Sequence, residues 1–172
     1  MKLHLLTAVT RPENLPQIEA SLAPAADFGI EVVWHTQADP EHQSVGGQSI
    51  KNAMIEQIDD GWVYILDDDN LMHPHFWHTV AAAVAARPEA AMLVITQAHR
   101  NGWARIAHPA MLRPTLVDAG QVVVRRDALG DLRIPEHYCG DGEWIAALGE
   151  TLAGRIVFCT TPATYYNWLR AP

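Results

Sequence analysis

The sequence predicts an α/β domain with a mostly parallel central sheet flanked by helices. Three observations point there: apolar runs too continuous for half-exposed strands, amphipathic segments of helical period between them, and their alternation along the chain. Such alternation marks β–α–β units, whose crossover helices cover the sheet. A single domain over residues 1–172 is expected, because no internal repeat, low-complexity run or linker divides the chain.

The elements follow in order. Residues 3–9, LHLLTAV, read as a first strand buried on both faces. Pro12 is placed to open a helix that carries Leu15, Ile18 and Leu22 on one face. Residues 30–35, IEVVWH, form a second strand, followed by a polar loop. Ile50, Met54, Ile55 and Ile58 mark a second amphipathic helix that ends near Gly61. Residues 62–66, WVYIL, are a third strand that stops abruptly at aspartates. Pro74 precedes an alanine-rich helix over 76–86, and 91–96 give a fourth strand. The stretch between 96 and 121 contains Gly102, Pro109 and Pro114 and has little periodicity. A loop of that length is expected to be functional, and mobile over 97–119 without ligand. Residues 121–126, QVVVRR, read as a strand, and 141–152 as a helix with Trp144, Ile145, Leu148 and Leu152 inward. A last strand is expected over 155–160, with YYNWLR trailing from it.

Composition narrows the function. Hydrophobic residues make up 49% and charged residues 19%, so a packed globule is expected. A net charge of −8 argues against nucleic acid or anionic membrane surfaces as partners, since phosphates are repelled. An acidic protein that holds a phosphorylated ligand needs a local cation, from a side chain or a metal. Cys139 and Cys159 lack zinc-site spacing, and a reduced pair is expected. The first apolar run is too short for a signal-peptide core, and no window approaches the roughly 18 apolar residues that span a bilayer. A soluble, cytoplasmic protein without direct membrane insertion is expected.

Asp67, Asp68, Asp69 and Asn70 follow directly on the third strand. Adjacent carboxylates repel one another, and the carboxyl edge of an open α/β sheet is where ligands bind. A divalent cation offsets the repulsion, and hard oxygen donors suit Mg²⁺ or Mn²⁺. Such an ion bridges protein carboxylates to a diphosphate. The competing reading is a solvated acidic turn.

From TAVTRPENL to GDGEW the chain resembles the GT-A (Rossmann-like) glycosyltransferases, especially family 2-like members. YILDDDN is similar to their Asp-X-Asp motif, which implies Asp69 as metal ligand, Asp68 on the donor ribose and Asp67 in support. Lys51-Asn52 stands in the place of the family's Arg-Asn pair, which implies a donor contact for Lys51; otherwise it is an exposed helix lysine. TRPENL resembles the segment that cradles the nucleotide, which implies Thr7, Val9 and Arg11 as donor contacts. Asp39 falls where the family often places a base-recognising aspartate, although Asp39-Pro40 is equally a turn. Asp118, Gly120 and Gln121 lie in a region that approaches the donor sugar in the family.

YCGDGEW resembles the family's Glu-Asp motif, with Gly140 in place of Glu. The resemblance implies Asp141 as the base that deprotonates the acceptor hydroxyl, with Glu143 as fallback; Asp141 is also suited to an N-cap. Trp103 is either a platform for an acceptor sugar or a hydrophobic anchor. His73, His75 and His78 are poorly spaced for a metal and read as capping or surface residues. No histidine follows His137 to complete a metal shell.

The expected activity is inverting transfer of a sugar from a nucleotide-diphosphate donor, a UDP-sugar, to a carbohydrate or other hydroxyl acceptor, with Mn²⁺ or Mg²⁺. One alternative is a sugar-phosphate nucleotidyltransferase, against which the absence of glycine in TAVTRPENL counts. The other is a non-catalytic nucleotide-sugar-binding domain of the same fold.

Overall fold

The first strand, β1 (Lys2–Val9), is buried from Leu3 to Val9 and is the parallel partner of both β2 (Glu31–Ala38) and β3 (Trp62–Ile65). The computed structural model describes residues 1–39 and 44–170. Further along lie β4 (Leu71–Met72), β5 (Met92–His99), β6 (Ala104–Arg105), β7 (Val122–Arg125) and β8 (Ile156–Tyr166). They form one sheet of order β2-β1-β3-β7-β5-β8-β4, with β6 paired to β5. The strands β1, β2, β3, β5 and β8 share a direction, as the continuous apolar runs predict. The short β4 and β6 run antiparallel to β8 and β5, and β7 runs against both neighbours in the centre of the sheet, with Val124 opposite Val63 and Val123 opposite Leu93.

Helices cover both faces. On one side α2 (Gln48–Glu56) and α5 (Gly140–Thr151) bury Met54, Ile55, Trp144, Ile145 and Leu148 against the sheet. On the other, α1 (Leu15–Leu22) and α3 (Phe76–Ala86) bury Ile18, Leu22, Phe76, Trp77 and Val80. Each such side chain contributes about 1.5–3 kcal/mol by leaving water, so both faces are needed to hold the sheet. A short helix, α4 (Arg126–Leu129), follows β7.

Two expectations change. The last strand does not stop at 160: Ile95 pairs with Cys159, but the next residue, Thr96, pairs with Pro162. The two residues bulged out carry β8 past the proline and on to Tyr166. The stretch after 96 is also less free than expected. β5 continues to His99, turns through Gly102 at φ +86° and returns as β6. Ala107 and Val117 are buried, and the Ala107 N–H donates to Thr96 Oγ1 at 2.9 Å, which ties the segment to the sheet. Cys139 and Cys159 are free thiols. No helix among the described residues is long and apolar enough to cross a membrane.

Candidate active site

A cavity of about 620 Å³ opens at the carboxyl ends of β1 and β3. That volume is in the range of small-ligand sites. The aspartate cluster, Lys51, Arg11, Asp118 and Asp141 all line it, although they are far apart in sequence.

The three aspartates differ sharply in what they bind. Asp68 is buried, and its carboxylate is spent on the end of β1. Its Oδ2 accepts from the Thr10 N–H (2.6 Å), the Thr10 hydroxyl (2.8 Å) and the Arg11 N–H (2.6 Å), and its Oδ1 accepts from Arg11 Nη1 (2.6 Å). A carboxylate so occupied fixes the loop after β1; little of it is left for a ribose, the contact implied by the family motif. Asp67 is paired with Lys51 Nζ at 2.6 Å. Asp69 is less engaged: among the described residues its carboxylate accepts no hydrogen bond, Arg11 Nη1 lies 3.5 Å away, and Arg170 acts on it more weakly. Burial, and then the neighbouring charge of Asp67, raise its pKa above the usual carboxylate value.

Lys51 is a buried lysine on α2 rather than an exposed one. Gly46 and Gly47 bring the backbone to it at positive φ, and a Cβ on Gly47 would lie 2.4 Å from that of Ala8, so only glycine fits. The ammonium donates to Gly46 O at 2.8 Å as well as to Asp67. Burial works to lower its pKa, but Asp67, Asp118 and Asp141 outweigh that and hold it above its usual value. One fixed positive charge therefore serves three carboxylates.

Asp118 precedes a short 3-10 turn, Ala119–Gln121, whose start it caps by accepting from the Gly120 N–H at 2.9 Å. Gln97 Nε2 donates to the same oxygen at 3.1 Å, and Arg105 Nη1 lies 3.6 Å from the other. Burial, with the charges of Asp67 and Asp141, raises its pKa to about 6. Asp141 lies in the first turn of α5. It is not the N-cap, which is Cys139; its Oδ2 instead accepts from the Ala119 N–H at 3.3 Å. The replacement of the family's Glu by Gly140 has a steric cause: a Cβ there would lie 1.8 Å from Pro135 O.

Other predicted residues lie off the cavity wall. Thr7 and Val9 are buried with the opposite parity along β1, so Ala8 and Thr10 face the cavity instead. The Thr7 hydroxyl donates to Leu66 O and accepts from Trp34 Nε1. Gln121 is fully buried and donates to Ile95 O and Arg105 O. Gly120 sits behind Asp118 and offers its carbonyl to the Tyr64 hydroxyl at 2.9 Å. Glu143 is exposed and faces His137 Nε2 at 3.2 Å. Trp103 stacks on His99 outside the cavity. Asp39 is buried, its Oδ2 accepting from the Ser44 N–H at 3.2 Å, while Pro40 lies outside the described residues.

The residues that sequence reasoning missed are at the C-terminal end of β8. Tyr166, Asn167 and Arg170 line the cavity. The turn that carries them is pinned to the aspartate loop, with the Leu169 N–H donating to Asp69 O (2.9 Å) and the Asn167 N–H to Asn70 Oδ1 (2.7 Å). The only signal was Asn167 itself, a residue type that tolerates the left-handed conformation it adopts here, at φ +50°.

Among the described residues, no three His, Cys, Asp or Glu side chains are gathered to hold a metal on their own. Asp69 is nevertheless a hard oxygen donor without a hydrogen bond, beside Asp67. That donor set fits Mg²⁺ or Mn²⁺ only as an ion that takes most of its ligands from phosphate and water, which Mg²⁺ commonly does.

No family model and no curated protein matches the chain. Solved structures do. The chain is similar to S. aureus TarS 1–349 in complex with UDP, with a TM-score of 0.72 and 17% identity over 96% of this chain and 60% of that one. The complex of TarS 1–349 with UDP-GlcNAc gives a TM-score of 0.66 at 14% identity, over 96% and 58%. A glycosyltransferase involved in the glycosylation of the major capsid of PBCV-1 gives 0.54 at 10% identity, over 96% and 92%. This chain thus spans about three fifths of the TarS 1–349 structures it matches, and 36% of a longer TarS structure. On these likenesses, and on its sheet and helices, the chain has a GT-A-like glycosyltransferase fold.

Proposed function

We propose that the chain transfers a sugar from a nucleotide-diphosphate donor, a UDP-sugar, to an acceptor hydroxyl with inversion. The observation that carries this reading is the gathering, in one cavity, of a carboxylate free of hydrogen bonds (Asp69), the cations Arg11, Lys51 and Arg170, and a separate carboxylate on a helix (Asp141). The UDP and UDP-GlcNAc complexes of the similar TarS structures support the choice of donor.

Arg11, Lys51 and Arg170 offset the diphosphate charge in an otherwise acidic protein. Mn²⁺ or Mg²⁺, held by Asp69 with Asp67 beside it, would neutralise charge on the leaving diphosphate. Asp141 accepts the acceptor's hydroxyl proton as that oxygen bonds to the anomeric carbon. The bond from that carbon to the phosphate oxygen breaks, and its electron pair leaves with the nucleoside diphosphate.

Calorimetric titration of UDP, with Mn²⁺ and with EDTA, tests the donor site. Binding is expected with Mn²⁺ and is expected to fall sharply both with EDTA and in Asp69→Ala. Equal affinity in all three conditions overturns the metal role, and no binding in any of them overturns the donor reading.

A further inference from the structure

Outside both hydrophobic cores, a run of rings in contact leads away from the cavity. Tyr166 is on the cavity wall. Its ring centroid is 4.6 Å from that of His99, which in turn stacks on Trp103 at 3.4 Å and 21°. The Arg105 guanidinium lies across this ladder, 4.7 Å from the Tyr166 ring and 5.8 Å from that of Trp103. The same guanidinium is 3.6 Å from Asp118 on the cavity wall. The ladder therefore starts at the cavity wall beside Asp118 and ends at Trp103, which is 45% exposed.

The turn that carries Trp103 does not need the ring. It is closed by backbone bonds, from the His99 N–H to Trp103 O (2.9 Å) and from the Gly102 N–H to His99 O (3.1 Å). The ring is large, half-exposed and outside both cores, and it is joined through His99 and Tyr166 to the cavity wall.

Position argues for what it contacts. Of the groups placed on the donor, Arg11, Lys51 and Asp67 to Asp69 come from the β1 and β3 side of the sheet and Arg170 follows β8, whereas His99 and Trp103 lie at and just beyond the end of β5, on the far side of β7. A ligand on Trp103 lies to the β5 side of most of the donor-facing groups, where an acceptor reaches the cavity without crossing them. His99 is packed between Tyr166 and Trp103, so the face on offer is the outer one of Trp103; such a face suits the apolar C–H face of a pyranose ring, and Arg105 supplies donors to its hydroxyls.

We propose that Trp103, backed by His99 and Tyr166 and flanked by Arg105, forms an acceptor subsite for a glycan of two or more sugar units and holds a unit distal to the reacting one. The inference rests on the transferase reading above and names the acceptor class.

Calorimetric titration of maltotetraose, cellotetraose, chitotetraose and mannotetraose, each beside its monosaccharide, tests it on the chain with UDP and Mn²⁺. At least one tetrasaccharide is expected to bind about five- to tenfold more tightly than its monosaccharide, the worth of one aromatic stacking contact. Trp103→Ala is expected to remove that gain, and Trp103→Phe to retain part of it, with UDP affinity unchanged in both. No gain for any tetrasaccharide, or a gain that survives Trp103→Ala, overturns the proposal. A Trp103-dependent gain in a chain that does not bind UDP upholds the glycan subsite and overturns the donor reading alone.

Discussion

Adjacent aspartates in one motif should respond oppositely to alanine. Asp68→Ala removes the acceptor of two backbone N–H groups, a hydroxyl and a guanidinium. Each polar group left without a partner costs about 1–3 kcal/mol when buried, and less where water reaches it. Thr10 and Arg11 are only partly buried, so the total expected is about 2–4 kcal/mol, a large share of a typical stability. Asp69→Ala removes a carboxylate that accepts no hydrogen bond and whose charge is opposed by burial and by Asp67. Stability should then stay within about 0.5 kcal/mol of the wild type, or rise. Urea unfolding without ligand measures both. With m of about 2 kcal/mol per molar, the Asp68→Ala midpoint should fall by roughly 1–2 M while that of Asp69→Ala holds. An unshifted Asp68→Ala midpoint, or an Asp69→Ala midpoint that falls as far, refutes this division of labour.

Asp141→Asn should lower turnover by about two to four orders of magnitude with UDP affinity unchanged, whereas Glu143→Gln should do little; steady-state rates with a UDP-sugar decide, and the reverse pattern makes Glu143 the base. For Asp118, raised from 3.8 to about 6, the folded state keeps a proton that the unfolded state gives up between those values. Wild-type stability relative to Asp118→Asn should therefore fall as pH rises from about 4 to 6, by at most about 1.4 kcal/mol per pH unit, and then level off; a relative gain over that window in denaturant titrations contradicts it. Gly142→Ala should cost about 1–3 kcal/mol or more in the same titrations, since its Cβ would lie 1.8 Å from Pro114 O.

The sequence was legible where a physical period repeats. The helix over Phe76–Ala86 and the end of β3 at the aspartates stand where residue pattern alone places them. Strand direction was not legible, because Val122, Val123 and Val124 suit a parallel or an antiparallel neighbour equally. Parity along β1 was hidden for a related reason. Both faces are buried, so no polar alternation separates Thr7 and Val9 from Ala8 and Thr10. The continuation of the last strand beyond 160 was hidden because the bulge that carries it past Pro162 is a property of its pairing with β5. The carboxylates of the candidate site stood out through their chemistry, whereas Arg170 reaches the cavity only through the turn at Asn167.

That turn has a consequence for how the molecule opens. The cavity wall draws on Arg11, Lys51, the aspartates after β3, Asp118, Asp141 and Arg170, and the Leu169 N–H closes it on Asp69. No single helix, strand or loop holds even half of these groups, so the site forms only once distant segments have met, which is the slow kind of assembly. A molecule bound there links nearly the first element to the last. It should slow hydrogen exchange across the whole sheet rather than in the loops alone, because the opening it opposes is the unfolding of the entire chain.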